Sequence, residues 1–132
     1  MQIDQNLPVI KKVVTQSQIN QYAQASGDFN PVHIDSEFAA TTDFGGTIAH
    51  GMLILAFLSQ MMTIAFKEMW VNSGRLKIRF KSPVYPGDTV TTFGKYKESK
   101  TDEEGERLFY SIGCINQNSK DIIVGEASIA IN

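Results

Sequence analysis

The sequence predicts an α+β fold in which a curved antiparallel β-sheet wraps a long, central apolar α-helix. Three observations carry that expectation. Residues 48–66, IAHGMLILAFLSQMMTIAF, contain no Asp, Glu, Lys or Arg. Beyond residue 74 the chain changes to runs rich in β-branched and aromatic residues, the composition of strands. The polar stretches KESKTDEEGE and NQNSKD join those runs at hairpin spacing, which favours antiparallel pairing. A helix that is apolar almost all round must be buried. A small sheet covers it only in part, so a dimer that completes the burial is expected.

The elements follow in order. PVIKKVVT is strand-like, and SQINQYAQASG reads as a helix: Ser17 caps it, Ile19, Tyr22 and Ala23 share a face, and Gly27 stops it. The loop SGDFNPVHID, Ser26 to Asp35, comes next. Ser36 is placed to cap a second short helix, EFAATTDFG, ending at Gly45 and Gly46, and the apolar helix starts near Ala49 to Met52. In GRLKIRFKSPV, Leu76, Ile78 and Phe80 alternate with Lys77, Arg79 and Lys81, the period of a half-buried strand. Tyr85 to Asp88, YPGD, has Pro and Gly where a type II turn requires them. TVTTFGKYKES, ERLFYSIGCINQ and DIIVGEASIAI are the remaining strands.

The 132 residues read as one domain, 1–132, long enough to bury a real core. A net charge of -2 provides no general basic surface, which argues against nucleic acid as a partner. The apolar helix is interrupted by His50, Gly51, Ser59, Gln60 and Thr63, which argues for a buried helix and against membrane insertion. The single cysteine, Cys114, rules out an intramolecular disulfide and reads as a buried, inert strand thiol. No export signal is read at the N-terminus, so a cytoplasmic location is expected.

Two constellations carry chemistry. One of the chain's two histidines, His33, follows Asp28 by five residues, and Asn30-Pro31 bends the interval. A carboxylate and an imidazole facing one water form a general acid/base pair. Each alone is more often structural. Asp35, Asp43 and His50 follow no metal-ligand spacing, so no metal site is expected. The second constellation is TIAHGML: Gly51 lies in the first helical turn, where backbone N–H groups lack partners and the dipole favours negative charge. Lacking a Cβ, it admits a carbonyl close to the backbone. Two readings stay open there, a helix start formed by His50 and Gly51 or an oxyanion site.

YAQASGDFNPVHID, followed by FAATTDFGGTIAHGML and RFKSPVYPGD, closely resembles the MaoC-like (R)-specific enoyl-CoA hydratases, the hydratase 2 enzymes of the hotdog fold. The resemblance runs essentially end to end. It implies two subunits forming one continuous sheet, an acyl tunnel, and reversible hydration of trans-2-enoyl thioesters to (R)-3-hydroxyacyl thioesters. No cofactor is implied, since coenzyme A or acyl-carrier pantetheine is part of the substrate. The family's active-site acid falls on Asp28 and its histidine on His33, together activating one water, with the Gly51 N–H as oxyanion donor. Asn30 matches the motif asparagine that fixes the loop, and His50 is placed with the supporting residues. Ser59 matches a serine near the active site in similar hydratases, against the alternative of a hydroxyl bonded back to the preceding turn. Leu53, Phe57 and Met61 line the tunnel or simply form core. FKEMWVNSGRLKIRF departs from the family pattern; Lys77 and Arg79 there either hold phosphates or form a solvated face.

Three other functions compete with hydration. A 3-hydroxyacyl-acyl-carrier-protein dehydratase runs the same chemistry in reverse. A hotdog thioesterase usually places an acid on the central helix, and residues 49–67 contain no Asp or Glu. A non-catalytic acyl-thioester binder predicts a damaged Asp28/His33 pair, and both residues are present.

Overall fold

Thr15 turns the chain from its first strand into its first helix. The computed structural model describes residues 6–131. Strand β1 is short, Lys11–Val13, and helix α1 covers Gln16–Ser26. The N-cap is Thr15, not Ser17: its hydroxyl accepts from the Gln18 N–H at 3.1 Å, and the Gln18 side chain accepts from the Thr15 N–H at 3.3 Å. That reciprocal pair is a capping box, which TQSQ spells from Thr15, two residues upstream of the expected cap. Gly27 ends α1 as expected, at φ 79°, a left-handed conformation that glycine adopts without strain.

The loop after Gly27 contains a helical turn that periodicity did not reveal, α2, Pro31–Ile34, followed by α3, Ser36–Ala40. Asn30 caps α2, with Pro31 in its first turn. Asp35, not Ser36, caps α3, accepting from the N–H groups of Glu37 and Phe38. The helix also stops earlier than Gly45, because the Thr41 and Thr42 hydroxyls bond back to the carbonyls of Phe38 and Ala39. Helix α4, Gly51–Phe66, is the predicted apolar helix, and Lys67, at φ 53°, turns the chain into α5, Glu68–Ser73.

Four strands follow: β2, Arg75–Phe80; β3, Thr89–Asp102; β4, Gly105–Ile115; and β5, Asp121–Ala130. With β1 they form one antiparallel sheet in the order β1-β3-β4-β5-β2. Tyr85–Asp88 forms the expected turn, with Gly87 at φ 96° and the Asp88 N–H on the Tyr85 carbonyl at 3.0 Å. Most of the presumed hairpin loop 97–106 is instead strand, since residues up to Asp102 pair with β4. Those polar side chains lie at the exposed end of the sheet, where backbone pairing needs no apolar partner.

The concave face closes on α4. Ile54, Leu58, Met61 and Met62 are fully buried with Leu108, Tyr110 and Ile112 of β4 and Ile123 and Ile129 of β5. The cover is one-sided, leaving Met52 and Ile64 exposed. The expected half-buried character of β2 fails for the same reason: at the sheet edge only Ile78 reaches the core, while Leu76 and Phe80 are exposed. No described helix is long and apolar enough to cross a membrane.

Candidate active site

Local hydrogen bonds shape the loop that carries Asp28. Its N–H donates to Ser26 Oγ at 3.1 Å, and its Oδ1 accepts from the Asn30 N–H at 3.2 Å. The Asn30 side chain turns the other way and accepts from the Val32 N–H. The backbone of Asn30 therefore orients the acid while its side chain starts α2. Helix α2 presents His33, and Gln16 braces that helix by donating to the His33 carbonyl at 2.8 Å. The other end of the same amide accepts from Thr47 Oγ at 2.7 Å, which ties α2 to the segment entering α4.

The two histidines meet at this point. His33 Nδ1 lies 2.8 Å from the Ile48 carbonyl, and His50 Nε2 lies 3.0 Å from the Asp28 carbonyl. A carbonyl only accepts, so each of these nitrogens carries a proton, and in the neutral tautomer of His33 the lone pair lies on Nε2. The rings stack at 3.9 Å between centroids, tilted by 27°, and the Tyr22 ring also packs against His50, at 4.8 Å between centroids. A carboxylate oxygen of Asp28 and one ring nitrogen from each histidine lie within 4.8 Å of one another. Asp28 is exposed, His33 half-buried, and His50 only 2% exposed.

These groups suit proton transfer: an imidazole nitrogen and a carboxylate oxygen within 4.8 Å of each other. They also form a set of three metal-type donors, although Nδ1 of His33 and Nε2 of His50 are already engaged by carbonyls. Sequence spacing gave no hint that His50 joins this group; only the fold brings it beside residues 17 and 22 positions earlier. Gln16 and Tyr22 were likewise missed, the first looking like a surface amide and the second like a core aromatic.

Gly51 opens α4, and no side chain caps that end. Its N–H meets no acceptor among the described residues, as expected for a first-turn donor. It lines an apolar cleft of about 350 Å³ with Ile48, Ala49, Ile54, Phe80 and Val84. A Cβ at Gly51 would come within 2.9 Å of the Phe80 ring, so the glycine lets that aromatic close over the helix end.

Other sequence candidates lie elsewhere. Ser59 is about two turns further along α4 and accepts from Trp70 Nε1 at 3.4 Å, outside the Asp28, His33 and His50 group. Phe57 and Met61 are in the core, and Leu53 packs partly against it. Lys77 and Arg79 are exposed on β2. Cys114 is fully buried, and burial pushes its thiol up to about 12, well away from a reactive thiolate.

The family model for the MaoC like domain matches residues 2–109, a span that holds the Asp28 loop, both histidines and Gly51. The chain belongs to the MaoC-like family. This MaoC-like chain is 42% identical over 81 residues to the 3-hydroxyacyl-thioester dehydratase Z of Mycobacterium tuberculosis, an alignment covering 58% of the chain and 54% of that relative. It is 38% identical over 85 residues to the (R)-specific enoyl-CoA hydratase of Rhodospirillum rubrum, covering 62% and 57%. The chain thus spans a little over half the length of these curated relatives. Among solved structures, it matches the (R)-hydratase from A. caviae involved in PHA biosynthesis with a TM-score of 0.81 and 26% identity, covering 100% of this chain and 98% of that one. The MaoC-like chain has the hotdog fold, with α4 as the helix held in the curved sheet.

Proposed function

We propose that this MaoC-like chain catalyses reversible addition of water to a trans-2-enoyl thioester, giving the (R)-3-hydroxyacyl thioester. The observation that carries the reading is the convergence of the Asp28 carboxylate and the His33 imidazole, beside a helix end whose first N–H is unpaired. The names of the relatives support the reaction class.

In this mechanism Asp28 and His33 Nε2 hold one water. The oxygen of that water adds to C3 as the pair accepts its proton, and a proton is returned to C2, so the elements of water are added across the double bond. Negative charge grows on the thioester oxygen between the two events. The Gly51 N–H and the α4 dipole stabilise it there, a donor of this kind contributing about 3 kcal/mol to the transition state. The reverse sequence eliminates water. The reaction needs no cofactor beyond the coenzyme A or pantetheine portion of the substrate. The acyl part occupies the apolar cleft beside Gly51. A thioesterase mechanism is less well supported, because α4 carries no carboxylate to direct water at the thioester carbonyl.

We also propose a second copy of this chain as partner. Strand β2 is an open edge with Leu76 and Phe80 exposed, and pairing with a second β2 would continue the sheet and cover them.

The test is loss of enoyl absorbance with crotonyl-CoA, with the chirality of the product determined. Asp28→Asn keeps the shape of the loop but removes the base; turnover falls on the order of 10³-fold. Near-normal turnover in that variant would sink the mechanism, and thiol release without hydration would sink the reaction class.

A further inference from the structure

His50 takes no part in the proposed proton transfer, yet it touches both groups that do. Its Nε2–H donates to the Asp28 backbone carbonyl, and its ring is stacked against His33. Resting on the hydratase reading above, we infer that His50 is a positioning residue that fixes the Asp28 loop and the His33 ring relative to each other and to the start of α4.

The hydrogen bonds of the loop show why such a tether is needed. The contacts Asp28 makes to Ser26 and Asn30 span two residues each. They set the shape of the turn but not its place in the molecule. The bond from His50 spans 22 residues and joins that turn to the N-terminus of the apolar helix. His33 is held at one atom, Nδ1, by the Ile48 carbonyl; one hydrogen bond leaves the ring free to tilt about it, and a flat neighbour at 3.9 Å removes that freedom. Tyr22 backs His50 in turn.

The other nitrogen of His50 strengthens the case. Nδ1 is buried and has no hydrogen-bond partner among the described residues, a condition that penalises the folded state. Phenylalanine would fill the same flat space without that penalty but would leave the Asp28 carbonyl without its donor. Glutamine would keep a donor at the Nε2 position and lose the aromatic stack. The two substitutions therefore separate tether from backing.

The experiment compares His50→Phe and His50→Gln with the parent protein by thermal unfolding, by kcat and KM on crotonyl-CoA, and by amide hydrogen exchange across residues 28–30. His50→Phe should fold, lower kcat about 10²-fold as a misplaced catalytic group does, leave KM nearly unchanged, and speed exchange in the Asp28 turn. His50→Gln should restore slow exchange and recover part of kcat. Parental kcat in His50→Phe, or a loss confined to unfolding temperature, overturns the assignment, as does exchange in His50→Gln as fast as in His50→Phe. If the parent protein shows no hydration, the proposed reaction fails, while the exchange measurement still decides whether His50 tethers the turn.

Discussion

The two ends of α4 bury polar groups to similar depths and use them in opposite ways. At the C-terminal end, Arg107 of β4 is 9% exposed, and its guanidinium donates to Ser128 Oγ, the Ser128 carbonyl and the Ser73 carbonyl. Burial, followed by repulsion from Arg75, lowers its pKa. Ser73 Oγ in turn donates to Met69 and accepts from the Ala130 N–H. Most of the hydrogen-bonding capacity there is filled, and the result pins α5 to the sheet. At the N-terminal end, His50 Nδ1 and the Gly51 N–H have no partner among the described residues. What separates the structural brace from the proposed reactive site on this helix is which end keeps free donors and acceptors.

The largest expected effect breaks the braced end. Arg107→Leu removes the charged donor shared by Ser73 and Ser128 and should lower stability by about 3 kcal/mol in urea unfolding. Turnover per folded molecule should hold, because nothing at that end touches the Asp28 loop. A loss of turnover without a loss of stability would show that the two ends are coupled.

Gly51→Ala gives the opposite pattern at the other end. The new methyl meets Phe80 at 2.9 Å, and the ring, 54% exposed, swings aside over the cleft. Misplacing the carbonyl of the substrate there should cost about 10²-fold in kcat/KM, equivalent to about 2.7 kcal/mol. Stability should hold or rise, since alanine is the better helix former by up to about 1 kcal/mol. Steady-state kinetics beside thermal unfolding checks both signs. An unchanged kcat/KM would remove Gly51 from the proposed oxyanion site.

The same contrast explains what could be read before the fold was known. The absence of charge along α4 identified the central helix, and YPGD and Gly27 announced their turns, because each is a local demand on side chain or backbone. Asp28 and His33 were legible because five residues and an Asn-Pro bend place them together. His50 was read as a helix start and, through the resemblance, as a supporting residue, but its contacts to Asp28 and His33 were not legible, since its neighbours are set by how α1, α2 and α4 pack. Arg107 drew no attention in the sequence; its burial depends on Ser73 of α5 and Ser128 of β5 meeting its guanidinium. Thr15 is a different case. Its capping-box signal lay in the sequence, and the choice of Ser17 passed over it. The continuation of β3 from Lys100 to Asp102 was hidden for a further reason: it is held by backbone pairing to β4, which polar composition does not reveal.

The smallest expected effect sharpens the boundary between the two ends. Ser59 lies between them, and the resemblance to similar hydratases places a serine of this helix near the active site. In this chain its Oγ accepts from Trp70 Nε1 at 3.4 Å, a long bond that ties α5 to α4. A neutral hydrogen bond of that length contributes at most about 1 kcal/mol. Ser59→Ala should therefore lower stability slightly and leave the turnover of crotonyl-CoA unchanged, with Trp70 fluorescence reporting the loosened contact. A drop in turnover at constant stability would instead put the hydroxyl at the reacting centre and extend the site about two turns down α4, towards the end that is otherwise closed.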